Sequence, residues 1–213
     1  MPDEFVRLPE PTASDEWREA MGRLMPDADE EHRASASAQM RNFLPQLSSA
    51  GEETILAAMC VGTEDVDGEE RLSMGLLAVS AGPSDHTDRL VAAEGIYQAK
   101  VKKLFEGERD LQEVDFPLGK GLQGRQDMVL AAKLPSGPGV MSTSLRSLTL
   151  PFGEAKDAPP VIATAALQLV IPAPRDYCVY VTISTPSVFL LDSYSLRLAH
   201  IGRTFTFDLP DGG

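Results

Sequence analysis

Histidine, cysteine and tryptophan are scarce in this chain of 213 residues: three, two and one. So few histidines leave little material for a histidine-built metal site or a general base. Two cysteines allow one disulfide at most. Cys60 and Cys178 both sit in apolar, strand-like runs and read as buried free thiols. Basic residues are also the minority, 19 Lys and Arg against 32 Asp and Glu, for a net charge of −13. That field repels a phosphate backbone and argues against nucleic acid as a partner. No apolar run is long enough to span a bilayer, and the start MPDEFVRLPEP lacks a signal-peptide core. The expectation is a cytoplasmic chain with no membrane span.

The signatures of common chemistries are missing as well. The sequence has no GxSxG elbow, no Walker A loop, no HExxH and no CxxC. A dyad of Cys178 with His200 would need an exposed, electropositive thiol, which the run YCVYV does not offer. Asp65-Val66-Asp67-Gly68 suggests a calcium loop, but placing Gly68 at its sixth position puts Met74 where the glutamate should be. The run reads instead as a solvated turn within Thr63–Arg71. Gly119, Gly121 and Gly124 match GxGxxG. A dinucleotide fingerprint needs a helix after the glycines, and Gln126–Lys133 reads as a strand. No cofactor and no metal are expected.

What is present is a sheet-forming pattern centred on Val161–Leu209. Ile162–Ile171 is apolar on both parities, as in a strand covered on two sides. Pro172–Asp176 forces a turn, and Tyr177–Ser184, rich in β-branched and aromatic residues, returns antiparallel. Thr185-Pro186-Ser187 suits a helix start. Leu190, Leu191, Tyr194, Leu198 and Ile201 then recur at helical spacing, with Gly202 as the stop. Phe205 and Phe207 share one side of a short last strand. This series of elements, carried by Tyr177–Pro186, Leu190–Ile201 and Thr204–Phe207, resembles the C-terminal half of the Mog1/PsbP-like α/β/α sandwich. Bacterial members of that superfamily include lipoproteins and secretion-effector chaperones. The resemblance implies a fold and, through those members, a chaperone or adaptor for a secreted protein.

Earlier segments supply the remaining elements. Residues 1–31 carry ten acids against three arginines, about half of the net charge. Phe5–Leu8 reads as an edge strand. Ser14 starts a helix to about Leu24, and Asp27 or Asp29 starts a second to about Leu47. Glu53–Gly62 and Leu72–Ala81 form a hairpin. A helix from about Asp88 to Phe105 buries Leu90, Val91, Ile96, Tyr97, Val101, Leu104 and Phe105. Leu111–Phe116, Gln126–Lys133 and Ser142–Leu150 read as further strands.

The expectation is therefore an α/β (α+β) protein in one domain, 1–213, with residues 1–50 as a helical cap. Its sheet is mostly antiparallel, has six to nine strands and is flanked by helices. The function expected is a non-catalytic protein-binding module. Its partner would be a protein, either basic or presenting an amphipathic helix. Trp17, Met21, Met25, Met40 and Phe43 are the expected binding residues, because methionine and an aromatic make an adaptable surface. The other reading of these residues is that the hairpin of helices closes the core. The alternative function is a small-molecule-binding protein or an enzyme with a pocket near Gly119–Arg125.

Overall fold

A computed structural model of the chain describes residues 2–44, 53–102, 128–149 and 161–207. The strands are β1 (Val6–Arg7), β2 (Glu53–Val66), β3 (Glu69–Pro83), β4 (Met128–Leu134), β5 (Gly137–Thr149), β6 (Val161–Ala173) and β7 (Tyr177–Thr185). The helices are α1 (Ser14–Leu24), α2 (Glu30–Phe43), α3 (Arg89–Val101) and α4 (Leu191–Thr204). The seven strands form one sheet in the order β1-β2-β3-β7-β6-β5-β4. Every neighbouring pair is antiparallel. The expected mixed fold with an antiparallel sheet is thus present. The expected strands at Leu111–Phe116 and the glycines of Gly119–Arg125 lie outside the described residues.

Alternation along the strands divides the side chains between two faces. Ala58, Leu77, Ile183 and Leu167 stand in one row across β2, β3, β7 and β6. Their face carries α4, whose Tyr194 and Leu198 are fully buried. On the opposite face α1 covers the β1–β2 edge, burying Trp17, Ala20, Met21 and Leu24 against Val6, Leu8 and Ala57. That opposite face also carries α3 over β5 and β6. There Lys100 donates to Ser142 Oγ at 3.0 Å and to Gln168 Oε1 at 2.6 Å.

Several elements begin where side-chain chemistry requires it. Asp29 caps α2 by accepting from the His32 amide, and Asp88 caps α3 by accepting from Leu90 and Val91. Ser14 is instead the first residue of α1, whose cap residue Ala13 makes no side-chain bond. Thr185 closes β7 rather than opening a helix, and its hydroxyl accepts from the Ser187 amide at 2.9 Å. A 3-10 turn at Val188–Leu190 then leads into α4.

Four further expectations are corrected. Leu90 and Val91 are 68% and 46% exposed, and α3 buries Ala92 and Ala93 instead. Small side chains bring that helix close to the sheet. Gly202 does not stop α4 but lies inside it, where a Cβ would come 2.8 Å from Leu169 Cδ2. Close approach of helix to sheet, not termination, explains this glycine. Phe205–Phe207 forms no strand; the two rings meet edge to face at 5.0 Å. The turn assigned to Thr63–Arg71 is mostly strand. β2 and β3 continue to Val66 and Glu69, and only Asp67 and Gly68 turn the chain, at φ of 55° and 83°. Two successive positive φ values make a type I′ turn, which suits the twist of a hairpin and favours Asp-Gly.

Candidate functional site

The long hairpin outruns the rest of the sheet. β1 pairs with β2 only at Met59 and Ala58, and β7 pairs with β3 only from Leu76 to Pro83. Beyond those limits Cys60–Val66 and Glu69–Gly75 project as a two-stranded arm. The arm's β3 edge is closed by side chains. Ser187 Oγ accepts from the Met74 amide at 3.1 Å and donates to the Leu72 carbonyl at 3.0 Å, and Thr185 Oγ1 donates to the Met74 carbonyl at 2.6 Å. These bonds replace part of the ladder that β7 would have supplied and block a stray strand at Leu72 and Met74.

On the α4 side the arm meets a polar network. Arg197 of α4 donates to Glu64 Oε1 at 2.8 Å, to Glu4 Oε1 at 2.6 Å and to Ser193 Oγ at 3.0 Å. Glu64 also accepts from Ser73 Oγ at 2.6 Å and Ser193 Oγ at 2.8 Å. The Tyr194 hydroxyl lies 2.9 Å from Ser73 Oγ and 3.6 Å from Cys60 Sγ. Its ring fills the space over Gly75, where a Cβ would stand 2.5 Å from Cε1. Burial pushes the Tyr194 hydroxyl up to about 12 and the Cys60 thiol above its ordinary value. Burial also raises the carboxyls of Glu4 and Glu64, but the hydrogen bonds and charge from Arg197, with Ser73 and Ser193 at Glu64, outweigh it and hold both below the usual range. Beneath α4 this side is filled from Cys60 to Glu64 by Tyr194 and Arg197, and its polar groups answer one another.

Among the described residues no helix covers the other side of the same arm. Alternation and register place Val61, Thr63 and Asp65 of β2 beside Met74, Leu72 and Glu70 of β3. Leu72 is 57% exposed and Val61 36%. Asp65 and Glu70 are exposed and directly opposite one another. Asp65 accepts from the Gly68 amide at 3.2 Å, and no cation pairs with either carboxylate among the described residues. The apolar strip continues along the sheet through Met59 and Leu76. These two pack against the Trp17 cluster together with Met25 and Met40.

The residues singled out from sequence therefore separate. Trp17 and Met21 are 1% and 2% exposed and serve the core beneath α1; the indole donates to the Glu10 carbonyl at 2.9 Å. Met25 and Met40 are partly buried at the border of that cluster. Phe43 belongs to α2, and its side chain lies outside the described residues. Asp65 and Glu70 were hidden by reading Thr63–Arg71 as a turn, whereas Val61, Leu72 and Met74 lay in the expected strands Glu53–Gly62 and Leu72–Ala81 but were not singled out. The signal that could have found them is the Asp-Gly dipeptide between strands of matched parity.

Other features are less developed. An apolar groove of about 840 Å³ runs between α3 and the β4–β5 hairpin, lined by Leu90, Ala93, Tyr97, Ala131, Leu134 and Val140. Cys178 is buried, and burial raises its thiol, while His200 is exposed on α4. Among the described residues no group of three or more His, Cys, Asp or Glu is placed to hold a metal ion, and no helix is long and apolar enough to cross a membrane. Comparison with protein-family models, curated proteins and solved structures finds no match.

Proposed function

We propose that this protein is a non-catalytic binding module that takes up a segment of another protein on the open face of the β2–β3 arm. The observation that carries the reading is the exposure of Leu72, at 57%, on a face whose reverse side is packed under α4 at Cys60, Ser73 and Gly75. An apolar side chain held in water on a braced strand marks a contact surface when its neighbours are apolar too. Val61 and Met74 flank it, and Met59, Met25 and Met40 lie further along. Methionine side chains adjust to varied partners at modest cost. The narrower reading, a chaperone or adaptor for a secreted protein, comes from the Mog1/PsbP-like resemblance of Tyr177–Phe207. A cytoplasmic location is part of the same proposal.

The test compares tagged wild type with Leu72→Asp in capture from a native lysate, read by quantitative mass spectrometry. A protein retained by the wild type and lost from an equally stable variant is the expected result. Identical captured sets overturn the reading. A second reading, uptake of a small apolar ligand, is favoured by the groove between α3 and β4–β5. It predicts a bound lipid-like molecule in native mass spectra that Ala93→Trp excludes.

A further inference from the structure

The arm already docks one helix, and the terms of that contact are visible. On its covered side an amphipathic helix, α4, lays Tyr194 over Gly75 and sets Arg197 against Glu64. The contact thus combines an apolar body with a guanidinium that answers a carboxylate. The opposite side presents the same two requirements, and among the described residues no helix meets them. Val61, Leu72 and Met74 supply the apolar row, and Asp65 with Glu70 supply carboxylates at its outer end.

We infer that the open face of the arm docks a basic amphipathic helix of a partner protein, seated opposite α4 with an Arg or Lys between Asp65 and Glu70. The inference rests on the proposed binding role and names its ligand. Three physical points support it. Like charges directly opposite on a strand pair destabilise the hairpin, and a cation between them reverses the sign of that interaction. Exposed Asp67 at the turn extends the same field, while Glu69, on the other parity, is answered by Arg71 at 2.9 Å. The net charge of −13 steers a basic segment toward the molecule. Spacing agrees as well. Alternate strand residues such as Leu72 and Met74 are about 6.6 Å apart, and helix residues four apart rise about 6 Å. A helix is favoured over an added strand on the β3 side, because Thr185 and Ser187 occupy that backbone edge.

The experiment uses the full chain and three labelled peptides of about fourteen residues, roughly four helical turns. Each has leucines four apart on one face, with two arginines, two glutamines or two glutamates at one end of that face. Binding is read by fluorescence anisotropy and peptide conformation by circular dichroism. The arginine peptide is expected to bind and gain helix. Its binding should weaken about tenfold when salt rises from about 0.05 to 0.3 M, and similarly in the Asp65→Asn/Glu70→Gln double variant. Leu72→Asp should abolish binding while leaving the thermal midpoint near that of wild type. Equal binding of the glutamine peptide overturns the basic partner but leaves the binding role standing. Binding that survives Leu72→Asp places the site elsewhere and overturns the inference. If no peptide binds, the inference fails, and the lysate capture decides the wider role separately. A gain of strand in place of helix overturns the helical partner.

Discussion

The two faces of the β2–β3 arm are built from the same two strands, one residue out of phase, yet they are finished differently. On the α4 side Glu64 has three donors and Gly75 is shaped to an aromatic ring. On the other side Glu70 faces Asp65, and Leu72 faces water. Neither composition nor strand propensity separates them, since each face has carboxylates and apolar residues. What separates them is that, among the described residues, α4 lies over one and no helix lies over the other. The difference teaches that an exposed apolar row is informative when the reverse of the same strands shows what complete packing looks like there.

The comparison is broken most forcefully by deleting volume under α4. Leu198 is fully buried between α4 and the sheet, so Leu198→Ala should cost about 2–5 kcal/mol by chemical denaturation. Leu72→Ala should stay within about 0.5 kcal/mol. Comparable losses would mean that the open face is packed in solution and that the two sides are equivalent.

Removing the cation comes next. Arg197→Met strips Glu64 and Glu4 of a charged donor, with an expected cost of about 1.5–3 kcal/mol at neutral pH. Its pH dependence has a definite sign. Both carboxyls titrate below their ordinary range in the native state, so the unfolded chain takes up protons first as pH falls. The contribution is complete above the ordinary glutamate value of about 4.3 and is lost as pH falls through the depressed native values. The gap between wild type and Arg197→Met should therefore narrow below that point. A gap that is constant in pH would assign the loss to stacking of the guanidinium on the Tyr194 ring instead.

Tyr194→Phe is smaller. The ring stays over Gly75, while the hydroxyl contacts with Ser73 and Cys60 disappear. About 1 kcal/mol is expected, since Ser73 keeps its bond to Glu64. A loss as large as that of Leu198→Ala would show that the hydroxyl anchors the whole network.

How much of this was legible in the sequence depends on which physical signal each part uses. The α4 stripe of Leu190, Tyr194 and Leu198 and the strands before it were readable, because buried periodicity is local. Helix α1 was readable for the same reason, and α2 from its Asp29 cap. The burial of α3 was misread, because Leu90 and Val91 outweigh two alanines on any hydropathy pattern although the alanines permit close approach. The arm was shortened in reading because polar strand residues such as Thr63 and Glu70 look like loop until register is known. The partnership of Arg197 with Glu4 and Glu64 spans well over a hundred residues, and a single sequence carries no trace of it.

The smallest expected effect has the opposite sign. Asp65 and Glu70 stand directly opposite on an exposed strand pair, and among the described residues neither meets a cation. Their repulsion acts only in the native hairpin, because the unfolded chain lets the two charges separate. Glu70→Gln keeps the side-chain shape and removes that repulsion. It should stabilise the protein by about 0.2–1 kcal/mol at low salt. Exposed charges are screened within about 8–10 Å at physiological ionic strength, so the gain should shrink as salt is added. Thermal melts of Glu70→Gln at low and high salt provide the measurement. On the covered side the matching change, Glu64→Gln, should destabilise, because it removes the acceptor on which Arg197, Ser73 and Ser193 converge. Opposite signs for two glutamates six residues apart on one hairpin would confirm that one side of the arm is electrostatically complete and the other is not. If Glu70→Gln destabilises at low salt, Glu70 has a favourable partner in the free protein, and the open face loses its charge argument for a basic ligand.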